Sequence, residues 1–113
     1  MHVYPKMSQN GDVLTVFVSG ELDHHNARRL REATDAMIQQ KHPSKLKLNF
    51  SGVTFMDSSG IGFIMGRYRM MELYGGSVRV VAVPAALQKV MELSGLGCLN
   101  VIERSSDENE SIS

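Results

Sequence analysis

Two segments of the chain, Val13-Leu14-Thr15-Val16-Phe17-Val18 and Val78-Arg79-Val80-Val81-Ala82-Val83, read as strands that are apolar or β-branched on both faces. Such strands belong inside a sheet covered on both sides, with neighbouring strands taking their backbone donors and further layers taking their side chains. What separates them narrows the choice. Ala27, Leu30, Thr34, Met37 and Ile38 mark one face of a helix over residues 24–40, with Asp23 as its cap and His42-Pro43 beyond its end. The alternation Leu46, Leu48, Phe50 follows as a strand. Then Ile61, Ile64, Met65, Tyr68 and Met71 fall at helical spacing from Ser58 to a glycine stop at Tyr74-Gly75-Gly76. After the second buried strand, Pro84 suits a first helical position, Leu87, Val90, Met91 and Leu93 give a short helix closed by Gly95, and a brief strand follows near residues 99–102. Strands alternating with helices imply βαβ crossovers, hence an α/β fold with a mixed, mainly parallel β-sheet and helices packed against it. The chain enters through an antiparallel hairpin. Asn10-Gly11 predicts a two-residue type I′ turn, and Pro5, lacking a ladder donor, puts the first arm on the sheet edge.

The 113 residues suit a single domain over residues 1–103. The segment Arg104-Ser105-Ser106-Asp107-Glu108-Asn109-Glu110-Ser111 is polar and acidic without periodicity, so residues 104–113 are expected to form a disordered tail. Twelve basic and twelve acidic side chains leave no net charge, which argues against direct nucleic-acid binding, a task that needs a basic field. Arg28, Arg29 and Arg31 cluster, but Glu32 and Asp35 follow at once, as on a solvated helix face. Cys98 is the only cysteine, so no internal disulfide, Cys₂His₂ site or CxxC motif can form. No apolar run reaches the roughly 20 residues of a membrane span and no signal peptide opens the chain, so the expectation is a cytoplasmic protein without membrane insertion.

The run Phe55-Met56-Asp57-Ser58-Ser59-Gly60-Ile61-Gly62 sets a hydroxyl beside a carboxylate where a strand gives way to a helix. At that position the first backbone N–H groups lack intrahelical partners and the macrodipole is positive, so an oxyanion on Ser58 would be accommodated. A phosphoserine carries about −1.5 to −2 charges at pH 7, which beside Asp57 would make the surface strongly anionic without disturbing the fold. Ser, Asp and Gly before an apolar helix are equally what a plain N-cap requires, and residue types alone do not choose between Ser58 and Ser59. Phe63, Met70 and Tyr74 add a second apolar stripe to this helix, serving either as core or, if exposed beside Ser58, as a docking patch.

Other chemistry fits poorly. Asp23, His24, His25, Asp57 and Ser58 contain the pieces of a nucleophile and base, but Ser58 is not in a G-x-S-x-G elbow, and adjacent histidines on one helix cannot face one metal. Gly60, Gly62 and Gly66 make G-x-G-x-x-x-G, one residue longer than a dinucleotide fingerprint, and no G-x-x-x-x-G-K-[ST] loop is present. Gly62 and Gly66, four apart on the helix, instead suit close packing of another element or a partner. No enzyme activity, metal or cofactor is expected.

Gly20-Glu21-Leu22-Asp23-His24-His25, the Phe55 to Gly62 run, Gly66-Arg67-Tyr68 and Leu93-Ser94-Gly95-Leu96 together resemble the STAS family, closely its sporulation anti-sigma-factor antagonists, in the family's order over residues 13–102. The resemblance implies a STAS fold and a non-enzymatic phosphorylation switch. Its unphosphorylated form would bind an anti-sigma factor that is itself a serine kinase and so free the sigma factor. Phosphorylation on Ser58 would abolish that binding, and a serine phosphatase would restore it. Asp23, Asp57, Ser59, Gly60 and Gly62 would be the recognition or structural residues around Ser58. The alternative is a STAS scaffold or a small-ligand or nucleotide sensor in another signalling assembly.

Overall fold

The computed structural model describes residues 1–95 and Ile102. Strands β1 (His2–Met7) and β2 (Val13–Leu22) lead into helix α1 (His24–Lys41), followed by β3 (Lys45–Met56), α2 (Ser58–Leu73), β4 (Ser77–Val81) and α3 (Ala85–Leu93). The sheet order is β1-β2-β3-β4, with β1 antiparallel to β2 and the remaining pairs parallel. Helices α1 and α2 are therefore the crossovers of two successive βαβ units, as the alternation of periods predicts, and β1 with Pro5 is the edge. Ile102 makes a parallel bridge to Val80. The rest of the last predicted strand, Cys98 and residues 104–113 lie outside the described residues.

The core lies between one face of the sheet and the helices. Leu14, Val16 and Val18 of β2, Leu46, Leu48 and Phe50 of β3, and Val78 and Val80 of β4 meet Leu30 and Ile38 of α1, Phe63, Ile64 and Met71 of α2, and Leu87 and Met91 of α3. The expectation that β2 is buried on both sides is only half right. Val13, Thr15 and Phe17 on its other face are half-buried, and the neighbouring positions of β3 are Lys45, Lys47 and Asn49. That face has no helical layer among the described residues; Phe17 is covered instead by Tyr4 of the edge strand, stacked at 4.8 Å between ring centroids.

Three local expectations need correction. The hairpin does not turn on a two-residue type I′ loop. Ser8 N–H donates to the Val13 carbonyl, Gly11 N–H donates to the Ser8 carbonyl, and of the Asn10-Gly11 pair only Gly11 has positive φ, at 77°. Asn10 is held otherwise: its side-chain oxygen accepts from the Ser8 hydroxyl at 2.8 Å and the Asp12 N–H at 3.2 Å, a local turn that widens the loop. The strand predicted over residues 78–83 stops at Val81 because Ala82 turns left-handed at φ 54°. Finally, β3 runs on to Met56, so the strand-to-helix connection is Asp57 alone rather than a loop.

Candidate functional site

β2 and β3 stay paired to their last residues, Leu22 opposite Met56, after irregularities between Phe17 and Ser19 and between Gly20 and Glu21. One residue later each strand becomes a helix. Asp23 and Asp57 consequently stand side by side at the carboxyl ends of two parallel strands, the edge where open α/β sheets present their binding sites. The Asp57 N–H donates to the Leu22 carbonyl at 3.3 Å, tying one junction to the other.

Each aspartate is the N-cap of its helix. Asp23 Oδ1 accepts from Asn26 N–H at 3.0 Å, and Asp57 Oδ1 accepts from Ser59 N–H at 2.8 Å. Each carboxylate faces the positive end of a helix and satisfies a donor that has no intrahelical partner. Ser58, the first residue of α2, is exposed, whereas Ser59 is half-buried with its N–H engaged by the cap. The structure thus separates two adjacent serines that residue type could not. Ser58 is the more accessible of the two.

The two glycines differ in what holds them. A Cβ at Gly60 would lie 2.3 Å from Met56 Cγ and 3.1 Å from Leu22 Cδ2, so Gly60 is demanded by the packing of α2 over the ends of β2 and β3. A Cβ at Gly62, or at Gly66, would meet nothing within 4 Å. No element of this chain among the described residues needs a glycine there, and the α2 surface one turn beyond Ser58 is left bare.

The second stripe of α2 does not form a docking patch beside Ser58. Phe63 is 4% exposed and belongs to the core, and Met70 packs against it. The exposed apolar side chain at this end is Phe55, 49% exposed at the close of β3. His24 and His25 are both exposed in the first turn of α1, their rings 6.1 Å apart between centroids.

One feature was not read from the sequence. Arg67 is buried on the inner face of α2 and approaches Asp35 of α1 at 2.9 Å. Its guanidinium also lies over the Phe63 ring, 5.3 Å from the centroid. Burial lowers the Arg67 pKa, Asp35 opposes that shift, and nearby Arg31 adds to it. Arg67 follows Phe63 and Ile64 by one turn and precedes Met71 by another, which placed it on the buried stripe from the start.

The sequence profile of the STAS domain matches residues 4–109. An anti-sigma F factor antagonist from Paenibacillus polymyxa is 36% identical over 96 residues, which is 85% of this chain and 82% of that protein. The structure of the anti-sigma factor antagonist SpoIIAA in its unphosphorylated form superposes with a TM-score of 0.77 at 26% identity, covering 98% of this chain and 96% of that one. The Bacillus cell fate determinant SpoIIAA in its phosphorylated form superposes with a TM-score of 0.69, also at 26% identity, covering 99% and 100%.

Proposed function

Because the chain belongs to the STAS family, we propose that it is an anti-sigma factor antagonist whose docking surface is switched by a phosphate on Ser58. The observation that carries this reading is the exposure of Ser58 as the first residue of α2, directly after the Asp57 cap and beside the Asp23 cap. In that place a phosphate disturbs no buried group. The dipole of the first turn favours it, while it adds about −1.5 to −2 charges to a surface that already holds two carboxylates. The fold stays and the field changes, which is what a docking switch requires. The relative SpoIIAA is known in unphosphorylated and phosphorylated forms, and both share this fold.

In this reading the unphosphorylated protein binds an anti-sigma factor and releases its sigma factor in the cytoplasm. The anti-sigma factor is a serine kinase that supplies the phosphate from ATP, and a serine phosphatase resets the switch. This chain itself catalyses nothing: Asp57 and Asp23 hold the two helix starts, Ser59 lends its N–H to the cap, Gly60 lets α2 close on the sheet, and Gly62 leaves room for the partner.

The test is the affinity of Ser58→Ala and Ser58→Asp proteins for the anti-sigma factor. Ser58→Ala should bind as the parent does, and Ser58→Asp should bind at least about tenfold more weakly because charge facing a partner's like charge is costly. Both should unfold within about 0.5 kcal/mol of the parent, as expected for an exposed site. Full affinity in Ser58→Asp would overturn the switch.

A further inference from the structure

A groove of about 430 Å³ runs between the amino-terminal halves of α1 and α2, with His24, Arg28 and Arg31 on one wall and Ser59, Gly62 and Phe63 on the other. Its charge is one-sided. Arg31 is exposed and has no ion-pair partner among the described residues, and Arg28 is held only by a solvent-screened pair with Glu32 at 3.1 Å. One turn further in, Arg67 leans over the Phe63 ring that forms part of the wall. Its side chain is only 6% exposed, and its buried Nη1 has no hydrogen-bond partner among the described residues. A buried guanidinium nitrogen left unpaired is uncommon. Arg28 and Arg31 line the groove with Arg67 buried behind Phe63, against Glu32 and Asp35 on α1 and the capping carboxylates of Asp23 and Asp57 at its end.

Ser58 does not line the groove itself but directly precedes Ser59, which does. It is one helical turn from Gly62, which lines the groove without a side chain of its own, so that wall is bare between Ser58 and Phe63. Packed helix axes are roughly 8–10 Å apart, a gap that an arginine on one and a phosphoserine on the other can close together.

We propose that a phosphate on Ser58 folds across the mouth of this groove onto Arg28 and Arg31, so that the modification closes the groove as well as adding charge. The inference rests on the reading of Ser58 as the acceptor. It gives the arginine cluster of α1 a purpose that a solvated helix face lacks, since guanidinium groups hold phosphate by paired, charge-assisted hydrogen bonds. Closure would deny the partner the groove as well as repel it.

The experiment uses full-length protein with phosphoserine installed at position 58 during translation and confirmed by peptide mapping, so it does not depend on any kinase. The second ionisation of the phosphate is followed by ³¹P NMR. Arg28 and Arg31 lower it by favouring the dianion. Asp57, Asp23, Glu21 and Glu32 raise it, and His24 and His25 lie at the same end of α1 and are unchanged in every protein compared. The Arg28→Ala/Arg31→Ala protein changes only the first pair of those groups, and its phosphate pKa should rise by at least about half a unit. Arg29→Ala is the control: that side chain lines a separate hollow with Met1, His2 and Val3, and its loss should leave the titration in place. An unchanged pKa in the double variant, or an equal rise in Arg29→Ala, overturns the proposal. Absence of phosphate transfer to Ser58 by a kinase-type partner would instead count against the reading on which it rests.

Discussion

β2 hands over to α1 at Asp23 and β3 hands over to α2 at Asp57, on adjacent parallel strands and in the same register. Both junctions consist of a single aspartate whose carboxylate caps the helix that follows. They part at the third helical position. In α1 that residue is Asn26, which receives the cap through its N–H and reaches back with its side chain to the Glu21 carbonyl at 2.9 Å. In α2 it is Gly60, which has no side chain because Met56 and Leu22 fill the place. One junction is held by a polar clasp and the other by close packing. The tighter packing seats α2 on the core and leaves Ser58 as an exposed residue on a firmly placed helix start, a suitable platform for a switch.

The largest effect should come from giving α2 the residue that α1 uses. Gly60→Asn forces a side chain into Met56 and Leu22 and should cost about 3 kcal/mol, read as a lower urea midpoint. The reciprocal Asn26→Gly loses one exposed hydrogen bond and adds backbone freedom, for about 1 kcal/mol. Equal losses in the two would refute the contrast between packing and clasp.

The tie between the helices comes next. Asp35→Ala strands the buried Arg67 and should cost about 2–3 kcal/mol, less than for a fully enclosed pair because Asp35 is partly exposed. Arg67→Met, which keeps the packing against Phe63, should stay within about 1 kcal/mol of the parent. Urea unfolding of both proteins checks the order; a larger loss in Arg67→Met would mean that the ion pair itself holds α2 to α1.

Asp23→Ala and Asp57→Ala should each cost about 1 kcal/mol, the usual worth of a cap. If the caps are equivalent in stability but only Asp57→Ala alters partner affinity, the difference between the junctions lies in recognition. The smallest effect compares the far ends of the same helices. α2 stops through Gly75 at φ 78°, with Gly76 N–H donating to the Met71 carbonyl at 2.8 Å, whereas α1 stops at His42 with φ 50°. His42→Gly relieves a side chain in the left-handed region and should gain about 0.5 kcal/mol in thermal or urea unfolding.

The order of elements was legible because each change of period, from 2 to 3.6 and back, coincides with a capping or stop residue: Asp23, His42, Asp57, Gly75, Pro84. What sequence missed depends on a local competition in the hairpin and, elsewhere, on distant partners. Asn-Gly is a strong hairpin signal, yet here the Asn10 side chain takes up Ser8 and Asp12, and no local rule weighs that competition. The apolar run in β2 suggests two covered faces, but whether a second layer exists depends on what β3 and β4 place beside it, and Lys45, Lys47 and Asn49 answer otherwise. At the site, the aspartate–serine junction was visible as a cap. The greater exposure of Ser58 over Ser59 required the angle at which α2 leaves the sheet, set by Gly60 against Met56. Arg28 and Arg31 read as a solvated helix face and are exposed; that they also line a groove depends on α2 residues about thirty positions away.

The most direct test of the account is intact-mass and peptide-mapping analysis after incubation with a kinase-type anti-sigma factor and ATP, using Ser58→Ala and Ser59→Ala proteins alongside the parent. One phosphate should form on Ser58, retained in Ser59→Ala and lost in Ser58→Ala. Transfer to Ser59 instead, or none with a kinase shown to be active, would contradict it.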